Sequence, residues 1–281
     1  MICLFCRGDS SGSRSREHII PQSLGNTKAV LAPGTVCDKC NNYFSREVER
    51  PFLESAAVSM LRSQQRIPSK KGHIPPSAAL LAPEFPAVVR PYAKGPFVAS
   101  VYLEPSGIEH LFRSEGGLLL FPESAPLPSG VVVSRFVAKA ALEAMADRLS
   151  AHPDGVAYLA SESQLDAIRN HARRGETKDW PVHVRRIYGE NAKWIDENGS
   201  EVQVVHEFDI LQTDASEWYF VLALFGLEFA INYGGPDVDG YKQWLEQHGG
   251  MSPLYSERNK QHARLRPIGQ DRLRTSTGAR R

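Results

Sequence analysis

Two short cysteine motifs near the N-terminus most constrain how this chain can fold. Cys3 and Cys6 form one pair, Cys37 and Cys40 form the second, and together they are the four cysteines of the 281-residue sequence. Two thiolate pairs on two turns suit a closed tetrahedral Zn²⁺ site. Four unrelated buried cysteines are the alternative, but free cysteines do not usually occur in such spaced pairs. The spacing predicts an N-terminal module, residues 1–65, that gains folding energy from structural zinc.

The composition is that of a globular protein. Hydrophobic residues make up 42% of the chain and charged residues 23%, so wholesale disorder is excluded. The longest apolar run, residues 218–227, is shorter than the roughly 18 residues that a membrane span requires. Because no secretory signal is visible, we expect a cytoplasmic protein without a membrane partner. In that compartment thiols stay reduced, which favours metal binding over disulfide formation.

Proline, glycine and charge divide the chain into four parts. We expect the zinc-binding module over residues 1–65, a linker over 66–77, an acidic α+β domain with an antiparallel sheet over 78–256, and a basic disordered tail over 257–281. The formal net charge is +5 over residues 1–75, −10 over 76–256 and +6 over 257–281. Basic ends favour a polyanionic partner, although a solvated surface explains the charge equally well.

Hydrophobic periodicity predicts the regular elements. Helices are expected over residues 51–64, over 134–149 with Ser134 as N-cap, over 163–174 up to Gly175, and over 241–248. Strands are expected over residues 97–103, 117–121, 202–211, 218–224 and 227–233. Lys139 and Glu143 lie four residues apart on the second helix, and we interpret them as a surface ion pair.

The segment between the cysteine pairs carries candidate catalytic residues. It reads Arg16-Glu17-His18-Ile19-Ile20-Pro21-Gln22-Ser23-Leu24-Gly25-Asn26, and Asn41 directly follows the last cysteine. Hydrolysis of a phosphodiester needs a base to activate water and a cation to stabilise charge on the leaving oxygen. His18 is suited to the base, since the imidazole titrates at about pH 6.5. Glu17 offers an oxygen ligand of the kind that Mg²⁺ or Mn²⁺ prefers.

Together these motifs resemble the HNH endonuclease family in its zinc-containing branch. The resemblance covers residues 1–55 and rests on the acidic-His-Ile-x-Pro stretch and on the Cys-x2-Cys-Asn sequence at a helix start. It implies a ββα-metal fold that places Glu17 and His18 near one divalent cation, with Asn41 as the second metal ligand. In a regular strand, by contrast, adjacent side chains point to opposite faces. The implied activity is metal-dependent cleavage of DNA.

Further residues are candidates for supporting roles. A helix that begins at Asn41 places Glu49 on the same face, as a possible additional metal ligand, whereas a glutamate on a helix surface is usually only solvated. The family's histidine-orienting asparagine has no counterpart in residues 30–36. Asn26 is the nearest replacement, and a backbone carbonyl is the alternative. Four basic residues after the module can contact a phosphate backbone: Arg62, Arg66, Lys70 and Lys71.

Two classes of function stay open at this point. One is an HNH endonuclease of DNA, for instance in defence or in a mobile element, in which the acidic domain restrains the enzyme. The other is a non-catalytic zinc module that binds nucleic acid or a protein. The adjacent Glu17 and His18 favour the enzyme, because binding alone does not require this pair.

Overall fold

The computed structural model combines helices with antiparallel sheets, so the protein has an α+β fold. The structure describes residues 1–94, 98–114, 116–177, 179–196 and 198–255, together with the strand Arg266–Pro267. Apart from that strand, the predicted disordered tail lies outside the described residues. None of the helices in the described part of the chain has both the length and the apolar character needed to cross a bilayer.

The helices fall into an N-terminal group and a group in the larger domain. Over the described residues they are α1 (Asp38–Phe44), α2 (Arg50–Leu53), α3 (Ala56–Gln64), α4 (Pro105–Arg113), α5 (Gly130–Leu149), α6 (Gly155–Ser161), α7 (Asp166–Arg174) and α8 (Asp239–Gln247). A π-helical turn, Ser45–Glu49, joins α1 to α2. Short 3₁₀ turns occur at Gln22–Leu24, Ser163–Leu165 and Pro253–Tyr255.

The strands form three antiparallel sheets. They are β1 (Ser77–Leu81), β2 (Phe85–Pro91), β3 (Ala99–Leu103), β4 (Leu119–Leu120), β5 (His183–Arg186), β6 (Trp194–Ile195), β7 (Glu201–Val202), β8 (His206–Gln212), β9 (Trp218–Leu224), β10 (Leu227–Asn232) and β11 (Arg266–Pro267). The strand orders are β3-β2-β1-β4, β5-β10-β9-β8 and β11-β6-β7. We refer to the first of these as the small sheet and to the second as the central sheet.

The hairpin between β9 and β10 shows how a short loop sets the register of the central sheet. Leu224 pairs with Leu227, so only Phe225 and Gly226 form the turn. Both have positive φ, 46° and 77°, the backbone of a tight hairpin turn that matches strand twist. A Cβ at Gly226 would lie 2.3 Å from the Tyr188 carbonyl oxygen, so only glycine fits there.

A hairpin-like loop followed by a helix makes up the N-terminal module. The Ile19 amide donates to the Ala29 carbonyl at 3.1 Å, and the Leu31 amide donates to the Glu17 carbonyl at 2.9 Å. The pairing is limited to one isolated bridge, between His18 and Val30. Helix α1 then follows. This order of two extended segments and a helix is the one that the family resemblance implies.

Helix α5 lies at the centre of the fold. Twelve of its twenty residues are buried, so it is covered around most of its circumference and is not amphipathic. It contacts the central sheet, α7, α2 and the π turn of the N-terminal module. Phe52 of the module stacks on Phe136 of α5 with ring centroids 3.9 Å apart and planes at 5°. One apolar core therefore continues from the module into the larger domain.

Several element boundaries differ from the sequence-based expectation. Helix α5 begins at Gly130 with Ser129 at the N-cap position, so Ser134 lies within the helix and is not its N-cap. The Ser134 hydroxyl is buried and lies 2.9 Å from the His171 ring. The strand predicted over 202–211 is divided into β7 and β8, which belong to different sheets. The helix predicted over 51–64 is divided into α2 and α3. Helix α7 ends at Gly175 as predicted, with the left-handed C-cap that glycine favours.

The shared core leads to a stability prediction with a matched control. Phe136→Ala should destabilise the whole chain by about 3–5 kcal/mol, because it leaves a cavity where α5 meets Phe52. Phe112 is 86% exposed on α4, so Phe112→Ala should change stability by no more than about 0.5 kcal/mol. Urea unfolding followed by tryptophan fluorescence measures both. Equal urea midpoints for the two variants would contradict the conclusion that one apolar core extends from the module into the larger domain.

Candidate functional site

The four cysteines converge on one point, as their spacing predicts. The Sγ atoms of Cys3, Cys6, Cys37 and Cys40 all lie within 4.8 Å of one another. Zinc–sulfur bonds of about 2.3 Å in a tetrahedron require sulfur atoms about 3.8 Å apart. Helix α1 positions two of the four sulfur atoms, because Cys37 is its N-cap and Cys40 lies within its first turn. The cluster therefore suits a structural zinc ion.

Backbone donors prepare these sulfur atoms for a metal. The Cys37 amide donates to Cys3 Sγ at 3.3 Å, and the Cys40 amide donates to Cys37 Sγ at 3.4 Å. A hydrogen bond from the Cys40 thiol lowers the pKa of Cys3 to about 4, and the same contact raises the pKa of Cys40. Sulfur atoms that accept hydrogen bonds are stabilised as thiolates, the form that binds zinc.

A cavity of about 550 Å³ lies next to α1 and contains the predicted catalytic residues. Its lining includes Glu17, His18, Asn41 and Glu49. Although Glu17 and His18 are adjacent in sequence, both face this cavity, since the hairpin pairs at a single bridge and is not a regular strand. Five basic side chains share the lining: Arg16, Arg50, Arg62, Lys70 and Lys71.

A buried lysine from α5 binds the glutamates of this cavity. The side chain of Lys139 is 0% exposed, and its Nζ atom lies 2.6 Å from Glu17 Oε1, 2.7 Å from Glu49 Oε1 and 2.9 Å from Glu143 Oε2. It also donates to the His18 carbonyl oxygen at 3.2 Å. Lys139 does not line the cavity, so it contacts these groups from behind the cavity wall.

This arrangement corrects the sequence-based interpretation of Lys139 and Glu143 as a surface pair. Both side chains are fully buried, because the N-terminal module covers the face of α5 that carries them. Sequence reasoning thus missed Lys139 as a residue of the site. A signal was present, since a lone lysine interrupts the otherwise apolar stretch of residues 136–142.

The electrostatics of this cluster are set by burial and by an excess of carboxylates. Burial by itself would lower the pKa of Lys139, but Glu143, Glu17 and Glu49 outweigh it and raise that pKa well above its ordinary value. Burial is also the main reason that the pKa values of Glu17 and Glu143 are raised. One ammonium group faces three ionisable carboxyl groups, so the cluster can accept further positive charge.

His18 is half-buried at the cavity wall. Burial is the main cause that lowers the pKa of its imidazole, and the charge of Lys139 adds to the effect. The nearby carboxyl group of Glu49 acts in the opposite direction and raises this pKa. A lowered pKa keeps the ring neutral at pH 7, and only the neutral ring can accept a proton.

Asn26 does not orient His18, contrary to the sequence-based expectation. Its side-chain amide donates to the carbonyl oxygens of Ile20 at 2.7 Å and Ala29 at 2.9 Å. Its carbonyl oxygen accepts from two backbone amides of the same loop. The hydrogen-bonding capacity of the side chain is therefore used to close the hairpin. A backbone carbonyl stays the alternative for the orienting role.

Asn41 and Glu49 share the cavity, although the helix differs from the predicted one. Helix α1 begins at Asp38, with Cys37 as cap, so Asn41 is not the N-cap. The π-helical turn Ser45–Glu49 then widens the helix just where Glu49 reaches Lys139. Single π turns within helices are frequent at functional sites.

The predicted phosphate-binding residues separate into two groups. Arg62, Lys70 and Lys71 line the cavity. Arg66 does not, because its guanidinium group donates to the Val98 carbonyl oxygen at 2.7 Å. The residues predicted as a linker therefore contribute to the wall of the candidate site.

The side chains around the cavity offer the kinds of ligand atom that a hard divalent cation binds. Two carboxylates, an amide and an imidazole are the ligands that Mg²⁺ and Mn²⁺ accept. Over the described residues, only the cysteines bring three or more thiol, imidazole or carboxylate ligand atoms within 4.8 Å of one another. Glu17 and Glu49 are kept close together by their common contact with Lys139.

The cysteine geometry predicts one zinc ion per chain. Elemental analysis of purified protein should find about one zinc per molecule, and Cys40→Ser should lose it and melt at a lower temperature, because one of four ligands is missing. His18→Ala is the control and should keep its zinc, since His18 is not part of the thiolate cluster. The prediction would be contradicted if the wild-type protein contained no zinc and Cys40→Ser melted at the same temperature as the wild type.

Comparison with known proteins agrees with the geometry of this site. Searches among curated proteins and among solved structures found no match. A family model described as HNH endonuclease matches residues 3–56, which include all four cysteines, Glu17, His18 and Asn41. The N-terminal module of this chain is thus matched to the HNH endonuclease family, as its motifs indicate.

Proposed function

We propose that this protein is a metal-dependent HNH endonuclease that hydrolyses phosphodiester bonds in DNA. The observation that carries the proposal is the shared cavity of Glu17, His18, Asn41 and Glu49, beside a thiolate cluster that suits zinc. Zinc is the scaffold in this proposal and takes no part in the reaction. The family match over residues 3–56 supports the same reaction class.

His18 is the general base of the proposed reaction. Its neutral imidazole takes a proton from the water that attacks phosphorus, and such a step typically contributes about 10²–10⁴-fold to the rate. The backbone of His18 is fixed on two sides, by the bridge to Val30 and by Lys139 Nζ on its carbonyl oxygen. The imidazole therefore projects into the cavity from a rigid element, as efficient proton transfer requires.

Glu17, Asn41 and Glu49 are the proposed ligands of Mg²⁺ or Mn²⁺. When bound, the cation supplies stabilisation of the charge that develops on the phosphate and on the leaving oxygen. Lys139 is a positioning residue, because it holds the carboxylates of Glu17 and Glu49 from the side away from the cavity. Arg62, Lys70 and Lys71 supply positive charge for the DNA backbone at the same cavity.

A non-catalytic zinc module that binds nucleic acid or a protein is the second candidate. The observation in its favour is that Lys139 already neutralises part of the charge of the two cavity glutamates. In such a protein His18 would have no proton to transfer. Metal-dependent cleavage therefore separates the two candidates.

Replacement of the base should abolish cleavage without harm to the fold. His18→Ala should lower the rate of plasmid cleavage by about 10²–10⁴-fold and keep its zinc, because the imidazole is needed only for proton transfer. His152→Ala removes an exposed histidine after α5 and should cleave at the wild-type rate. The measurement is the cleavage rate against Mg²⁺ and Mn²⁺ concentration.

Metal dependence then separates the base from the ligands. Glu17→Gln and Asn41→Ala should lose activity through weaker metal binding, so excess Mn²⁺ should restore part of their rate. The same excess should not rescue His18→Ala, since added metal does not replace a base. Near wild-type cleavage by His18→Ala would show that this site does not carry the reaction.

The buried lysine makes a separate prediction on stability. Lys139→Met leaves the buried carboxyl groups of Glu17 and Glu143, and the partly buried one of Glu49, without their ammonium partner, and should cost about 3–5 kcal/mol. Glu143→Gln should cost much less, because burial already favours the neutral form of this residue and glutamine mimics that form. Urea unfolding at pH 7 measures both variants. A Glu143→Gln change as damaging as Lys139→Met would show that the third carboxylate is needed in its charged form.

A further inference from the structure

A second cavity, of about 700 Å³, continues the first one towards the small sheet. Four residues line both cavities: Leu53, Glu54, Arg62 and Ser69. The two cavities therefore form one groove, which we call the extended groove. It runs from His18 to strand β2 and the edge strand β3. These strands lie outside residues 3–56, the part of the chain that matches the family.

Arg62 stands at the junction of the two cavities without a partner. It is 6% exposed, and its Nε atom is buried with no hydrogen-bond partner. Over the described residues its guanidinium group forms neither an ion pair nor a hydrogen bond. Glu54, the one acidic residue that lines both cavities, is paired with Arg50 at 3.0 Å. A buried guanidinium without a counter-charge is costly, so an anionic ligand is the missing partner.

Aromatic and apolar surfaces line the far end of the extended groove. Tyr92 is 41% exposed, Tyr102 is 54% exposed, and the Arg90 guanidinium lies 5.3 Å from the centre of the Tyr102 ring. Ile74 and the Pro75–Pro76 pair complete this part of the lining. Tyrosine rings and arginine planes are surfaces on which nucleobases stack, whereas a duplex backbone would need charged groups there instead.

We propose that the extended groove binds an unpaired segment of DNA next to the bond that is cut. Arg62 takes a backbone phosphate, and Tyr92, Tyr102 and Arg90 stack against bases that have left the duplex. Base faces are covered within a duplex, so this contact selects single strands, frayed ends or unpaired junctions. The inference rests on the proposed nuclease function and names its substrate class, but its binding test is independent of cleavage.

The first test measures binding of one labelled oligonucleotide as a single strand and as a blunt duplex. Fluorescence anisotropy is used with the full chain and no added Mg²⁺ or Mn²⁺, so that nothing is cut. The single strand should bind more tightly. Tyr102→Ala should weaken that binding by roughly 5- to 150-fold and leave duplex binding nearly unchanged, because only unpaired bases stack on the ring. Tyr158→Ala, which removes a 62% exposed tyrosine on α6, is the matched control and should have no effect.

The second test replaces Arg62, whose charge has no partner in the described part of the chain. Arg62→Met should weaken single-strand binding by roughly 10- to 150-fold. It should also reduce the slope of the logarithm of the binding constant against the logarithm of the salt concentration by about 1, as expected for the loss of one phosphate contact. It should also raise the melting temperature of the free protein, since it removes a buried charge that has no partner. Arg174→Met removes an exposed arginine at the end of α7 and should change neither binding nor melting. A merely structural Arg62 would instead lower the melting temperature when it is replaced.

These results separate failure of the inference from failure of the nuclease assignment. Equal affinity for single strand and duplex, or strand binding that Tyr102→Ala does not weaken, would overturn the inference even if wild type cleaves plasmid DNA. If single-strand binding depends on Tyr102 and Arg62 but the protein cleaves no DNA with Mg²⁺ or Mn²⁺, the extended groove is supported as a DNA-binding site and the nuclease function is contradicted.

Discussion

The contact of Lys139 with three glutamates is the interaction on which the candidate site depends. It joins residues that are far apart in sequence, because Glu17 and Glu49 come from the N-terminal module and Glu143 from α5. An unpaired buried charge is costly, so the module and the larger domain must stay together to keep Lys139 paired. The stacked rings of Phe52 and Phe136 add apolar burial to the same interface. The larger domain therefore takes part in the structure of the site and is not an independent appendage.

Two anchors of different chemistry fix the module. The thiolate cluster ties the N-terminal turn to the start of α1, and Lys139 ties the hairpin and the π turn to α5. His18 lies between these anchors, which explains how a short hairpin with one isolated bridge can hold a side chain rigidly. Rigid support is what a general base requires, since small errors in position reduce the rate strongly.

The sequence predicted the parts of this site whose signal is local. Cysteine spacing anticipated the cluster of four sulfur atoms, and the motif around Glu17 and His18 placed both residues at one cavity, where the structure finds them. The role of Asn26 was wrong, because the loop that its side chain closes could not be foreseen from spacing. Lys139 was misplaced for a related reason, since the spacing of Lys139 and Glu143 on a helix is the same whether that face meets water or another part of the chain. Strands β1 and β2 fall in a stretch that is strand-like from about Ala78, but they were not delimited, because prolines within and beside them obscure the alternation that identifies a strand.

The position of Lys139 also bears on how a site with so much buried charge can bind a cation at all. An ammonium group placed within the cavity would compete with a metal for the same carboxylates. Lys139 is instead absent from the cavity lining, so it lowers the repulsion between Glu17 and Glu49 while their cavity side stays open. Burial favours the neutral form of Glu143, so Lys139 supplies its single positive charge mainly to the carboxyl groups of Glu17 and Glu49. Burial also raises the pKa of Glu17, and further positive charge at the cavity would favour its ionised form. A divalent cation at the cavity would supply that charge, which makes the internal lysine a support for metal binding rather than a substitute for it.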